Sequence, residues 1–111
     1  MNKDPQIYIR DIILSCDRIA QYIDKKTSQD FKANDELQDA VIRRLLIIGE
    51  AVKKLPKEFR EKHINIEWRK ASAMRDVLVH DYDDIDIDRV WLTISSVIPS
   101  FKMQIEKLIS Q

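Results

Sequence analysis

The chain has 111 residues, the length of one ordinary domain, and it carries 19 Lys and Arg against 19 Asp and Glu, so its formal charge is zero although 34% of it is charged. One Gly and three Pro speak for long helices joined by few tight turns, and 44% hydrophobic residues in periodic patterns exclude disorder. A single Cys and two His exclude a disulfide framework and a conventional structural zinc site, and no apolar run approaches the ~20 residues needed to span a bilayer.

In chain order, the first predicted helix opens at Asp4-Pro5, an N-cap acid with Pro at the first helical position. Ile9, Ile12, Ile13, Cys16, Ile19, Ala20 and Ile23 recur along it at threes and fours, with Cys16 read as core. The polar stretch 25–33 breaks the pattern. Asn34 then caps a second helix, with Asp35 and Glu36 in its first turn, where the helix dipole favours acids. Leu37, Val41, Leu45, Ile48, Val52 and Leu55 form its inner stripe, and Ile42, Leu46, Ile47 and Ala51 widen it beyond one face. A helix apolar on two sides is either central or shared with a second chain. Gly49 lies inside this helix at a cost of roughly 1 kcal/mol against Ala, which points to close approach of a neighbouring helix.

Pro56 ends the second helix, and a connector able to hold a short helical turn leads to a third helix from about Glu67 to about Val79, with Trp68, Ala71, Met74 and Leu78 inward. A loop rich in aspartate follows. The last helix begins near Asp86 or Asp88 and carries Val90, Trp91, Ile94, Val97, Ile98, Phe101, Ile105 and Leu108, with a kink expected at Pro99. The expected architecture is all-α: one domain over 1–111, an antiparallel bundle of four to five helices, with the wide apolar face of the second helix predicting a homodimer.

The zero net charge hides segregation. Nine bases and four acids lie between Arg43 and Lys70, and six aspartates lie between Asp76 and Asp88 with His80 as the one basic side chain among them. The basic stretch is either a solvated helix face or a surface that holds phosphates. At the junction stand Arg75, His80 and Tyr82. Imidazole moves protons near neutral pH, and guanidinium is a fixed cation suited to a phosphate or a phosphorane-like transition state. In a continuous helix positions 75 and 80 differ by about 140°, but a helix ending near Val79 lets His80 swing towards Arg75. The bland alternative stays open, since a His at a helix end commonly serves the helix dipole or a loop hydrogen bond. Glu50, an acid in an apolar stretch, is expected to pair with Arg43 or Arg44 or to reach a pocket.

The segment Arg75-Asp-Val-Leu-Val-His80-Asp-Tyr82 resembles the Arg-x4-His-x-Tyr motif of the HepT-like toxins in the HEPN superfamily. The likeness extends over most of the chain: Arg43 to Ala51 looks like the family's central helix, Ile66-Glu-Trp68 and Met74 like its approach to the motif, and Asp88-Arg-Val-Trp91 with Ile98-Pro99 like its last helix. The resemblance implies a dimerising, HEPN-like helical bundle that is a cytoplasmic ribonuclease toxin, metal-independent and without a cofactor, with RNA as substrate and a nucleotidyltransferase antitoxin of the MntA type as partner. It further implies Arg75 and His80 as catalytic residues and Tyr82 as the acceptor of AMP from the antitoxin. The family commonly has Asn after the Arg, whereas this chain has Asp76, an acid able to hold Arg75 or tune His80 but repelling RNA phosphate. Asp76 and Glu50 are therefore supporting candidates. The alternative from another class is a non-catalytic helical module that binds a nucleotidyltransferase and presents Tyr82.

Overall fold

A computed structural model describes residues 4–80 and 84–110. It contains α1 (Pro5–Ile23), α2 (Ser28–Lys32), α3 (Asp35–Lys54), α4 (Lys57–Lys62), α5 (Trp68–His80), α6 (Ile87–Leu92) and α7 (Ile98–Ile109), with a π-helical turn, Thr93–Val97, joining the last two. Among the described residues there is no strand, in agreement with the expected all-α bundle. The expected caps form, the Asp4 carboxylate accepting from the Gln6 amide at 2.9 Å and the Asn34 side chain from Leu37 at 3.0 Å, and of the two expected starts of the last helix it is Asp86 that caps, accepting from the Arg89 amide at 3.2 Å. Each satisfies an amide that its helix leaves unpaired, a contribution of about 1 kcal/mol.

Helix α3 is central, packed along its length against α1 and α5. Its inner stripe of Val41, Leu45, Ile48 and Val52 is buried with Ile12, Cys16 and Ile19 of α1 and with Ala71, Met74 and Leu78 of α5. α7 closes the bundle with Ile98, Phe101 and Ile105 in the same core, and Lys102 of α7 is fastened to Asp17 of α1 at 2.6 Å. Burial pushes the Cys16 thiol up to about 12, with the carboxylate of Asp17 adding to the shift, so this Cys is an inert core residue.

Two departures from the sequence-based expectation have local causes. The stretch 25–33 is not merely irregular. Thr27 and Asp30 form a reciprocal capping box, Thr27 accepting from the Asp30 amide at 3.1 Å and Asp30 from the Thr27 amide at 2.9 Å, and this starts the short α2. Phe31 of α2 is fully buried, with its ring 5.6 Å from that of Trp91. The expected kink at Pro99 is a widened turn placed ahead of it. The Ile98 amide donates to the Thr93 carbonyl, one residue further back than in an α-helix. Pro99 can donate nothing and would crowd a carbonyl four residues earlier in a regular helix, so the extra residue is taken up before it. Hydroxyls of Thr93 and Ser95 donate to the carbonyls of Arg89 and Trp91 at 2.9 and 2.7 Å.

Candidate active site on α5

Helix α5 carries the motif, and its start is tied down by side chains. The indole of Trp68 is buried edge-on against Phe101, ring centroids 5.8 Å apart, and its Nε1 donates to the His63 carbonyl at 3.1 Å. The Glu67 amide donates to Gln104 Oε1 of α7 at 2.9 Å, and Gln104 Nε2 donates back to the Glu67 carboxylate at 3.1 Å. His63 itself packs against Phe59 with the rings tilted by 54° and their centroids 4.7 Å apart, a structural role at the end of α4.

Arg75 lies at the edge of the buried face of α5, and its stem crosses α3 at Gly49. A Cβ on Gly49 would collide with Arg75 Cβ and stand 2.8 Å from its Cγ. The close helix approach expected at Gly49 is thus an approach to the motif arginine. Arg75 Nη1 donates to Asp76 Oδ1 at 3.3 Å, while its buried Nε has no hydrogen-bond partner among the described residues. Lys53 of α3 donates to the same Asp76 oxygen at 2.5 Å. The Lys53 ammonium, then the Arg75 guanidinium, holds the Asp76 carboxyl below the usual carboxylate range. One acid therefore shares two cations, and the local balance stays positive.

Lys53 was not among the residues that the motif singled out. Its signal was spacing: it stands four residues after Gly49, on the side of α3 that meets α5. It answers the charge that Asp76 introduces.

α5 runs through His80, one residue beyond its expected end, and His80 is exposed at its C-terminus. Within one chain Arg75 and His80 consequently leave the helix about 140° apart, rather than converging through an early helix end. Tyr82 lies outside the described residues. Glu50 forms no ion pair with Arg43 or Arg44 among the described residues. It points instead into an open cleft of about 750 Å³ on the outer face of α3, bordered by Asp39, Ile42, Arg43, Ile47 and Ile85. It does not join Arg75. No group of three or more His, Cys, Asp or Glu placed to hold a metal occurs among the described residues.

The model of the family described as "Ribonuclease HepT-like" matches residues 12–108, which include the whole of α3, α5 and α6. The chain belongs to the HepT-like family. A Methanocaldococcus jannaschii protein, named for a gamma-glutamylcyclotransferase and provisionally for an RNase, is 43% identical over 111 residues, all of this chain and 50% of that protein. A protein of Caldanaerobacter subterraneus subsp. tengcongensis, provisionally named an RNase, is 37% identical over 98% of this chain and 97% of its own length. A protein of Thermococcus cleftensis, named a probable ribonuclease HepT, is 38% identical over 97% of this chain and 98% of its own. The HepT-like chain thus spans half of the first relative and nearly all of the other two. No solved structure matches it significantly. Among the described residues no helix is long and apolar enough to cross a membrane.

Proposed function

We propose that the chain is the ribonuclease toxin of a toxin–antitoxin pair, an endonuclease that cleaves RNA in the cytoplasm as a homodimer and without a metal ion. The seating of Arg75 carries this reading: its stem is fixed on Gly49, its Nε is buried without a partner among the described residues, and its Nη1 meets only a carboxylate already shared with Lys53. A guanidinium held in this way is a rigid cation with donors to spare, suited to the charge that builds on phosphate oxygens during cleavage. Family membership and the names of the relatives support RNA as substrate.

The reaction needs a base and an acid, and the motif supplies one His per chain. Two copies provide both. One His80 takes the proton of a ribose 2′-hydroxyl, whose oxygen bonds to the adjacent phosphorus. Arg75 donates to the equatorial oxygens, and the second copy's His80 protonates the 5′-oxygen as its bond to phosphorus breaks. The products are a 2′,3′-cyclic phosphate and a 5′-hydroxyl end.

Tyr82 is the proposed site of neutralisation. Its phenol oxygen bonds to the α-phosphorus of ATP in a partner nucleotidyltransferase, pyrophosphate leaves, and the AMP so attached sets phosphate and bulk two residues from His80. Co-expression with an MntA-type nucleotidyltransferase tests this by intact mass. The wild type is expected to gain one or more AMP units, and Tyr82→Phe none while remaining growth-inhibitory. AMP uptake by Tyr82→Phe equal to that of the wild type would remove Tyr82 as the acceptor.

A further inference from the structure

With α1 against its inner side and α5 along one flank, α3 has an outer face that no helix among the described residues covers, with Ile85 and Ile87 at one border of it. Asp39, Arg43, Glu50 and Lys54 stand exposed on that face, around half-buried Leu46 and Ile47. Their spacings of four, seven and four bring all four charges to one side of the helix. None of them is in an ion pair among the described residues. The order along the helix is acid, base, apolar pair, acid, base. It is symmetric in position and opposite in sign about the midpoint of Leu46 and Ile47: Arg43 and Glu50 lie three residues to either side of that pair, Asp39 and Lys54 seven. A twofold contact joins a surface to its own copy and so must be self-complementary. An antiparallel second α3 laid on this face sets Arg43 against Glu50 and Asp39 against Lys54, each pair made twice, with Leu46 and Ile47 of both copies at the centre.

We propose that this outer face of α3 is the homodimer contact and that the Arg43–Glu50 and Asp39–Lys54 cross-pairs fix its register. The proposal deepens the function proposed above and rests on its dimer. Symmetry then decides where the two motifs lie. The twofold axis relating antiparallel helices is perpendicular to the plane containing them, so whatever flanks α3 on one side of that plane does so on the same side in both copies. Gly49, about 100° around α3 from Glu50, is on the α5 flank and carries the Arg75 stem. It lies within a helical turn of the midpoint. Both Arg75 side chains therefore emerge on one side of the paired helices and near the axis, so the two α5 helices border one groove. Glu50 acts in this arrangement through the interface, not through the chemistry.

Charge exchange tests the register, read as dimer dissociation by sedimentation at low ionic strength, where exposed pairs are least screened. Arg43→Glu and Glu50→Arg each place like charges opposite one another twice, and each is expected to weaken the dimer about tenfold or more while helical content by circular dichroism is unchanged. The double variant R43E/E50R is expected to recover wild-type dissociation. An equimolar mixture of the two single variants is expected to form a heterodimer, because every cross-pair in it is again opposite in sign. Single variants that dimerise like the wild type, or folded single variants rescued neither by the double nor by mixing, would overturn this face as the contact while leaving a dimer through another surface. A wild type that is monomeric at micromolar concentration would overturn the dimer itself.

Discussion

At the residue scale, the single glycine and the motif arginine form one feature. Gly49 has no side chain because the first two carbons of the Arg75 side chain fill that space, and the neighbour to be displaced is the stem at its root, not a flexible tip. Gly49→Ala is therefore expected to destabilise the fold by about 1–3 kcal/mol, the usual cost of overpacking, despite the helix propensity that Ala brings. Urea unfolding measures the first effect, and a lower kcat for RNA cleavage reports displacement of Arg75. Stability at or above that of the wild type would mean that the two helices separate without cost. The sequence made Gly49 conspicuous and predicted the close helix approach, but not that the approaching side chain is the catalytic candidate. That pairing joins positions 26 residues apart, which no local pattern encodes. Asp76 is a similar case: its departure from the family's usual Asn was visible, whereas the answering Lys53 appears only once α3 and α5 are packed together.

At the element scale, α5 is a rod aimed from its first turn. Trp68 anchors it in the core, and Gln104 of α7 both accepts from the Glu67 amide and donates to the Glu67 carboxylate. Gln104→Leu removes both bonds and leaves the half-buried Glu67 amide without that partner, so a loss of about 1–3 kcal/mol is expected in thermal or urea unfolding. A loss confined to a few tenths would mean that water replaces the glutamine. The long helices were readable because apolar residues at threes and fours, N-caps and Pro56 each mark a boundary on their own. The short α2 and the π turn were not. A five-residue helix has no room for a period, and the extra residue before Pro99 keeps Ile94 and Ile98 on the buried side, so the periodicity looks continuous across it.

At the scale of the whole molecule, zero net charge is the sum of unlike parts. Between residues 43 and 70 nine bases stand against four acids, residues 76–88 hold six aspartates, and Arg75 and His80 stand where one part gives way to the other. Because α5 continues through His80, the Arg75 and His80 side chains of one chain leave the helix about 140° apart. In the function proposed above, two copies of the Arg75–His80 motif together cleave RNA without a metal ion. The decisive measurement is cleavage of single-stranded RNA by the purified protein in excess EDTA. The wild type is expected to cut and leave 2′,3′-cyclic phosphate ends, and Arg75→Ala and His80→Ala are each expected to lose about 100-fold or more in rate with helical content and dimer mass unchanged. Cleavage that requires Mg2+, or that persists at the wild-type rate in both variants, would contradict it.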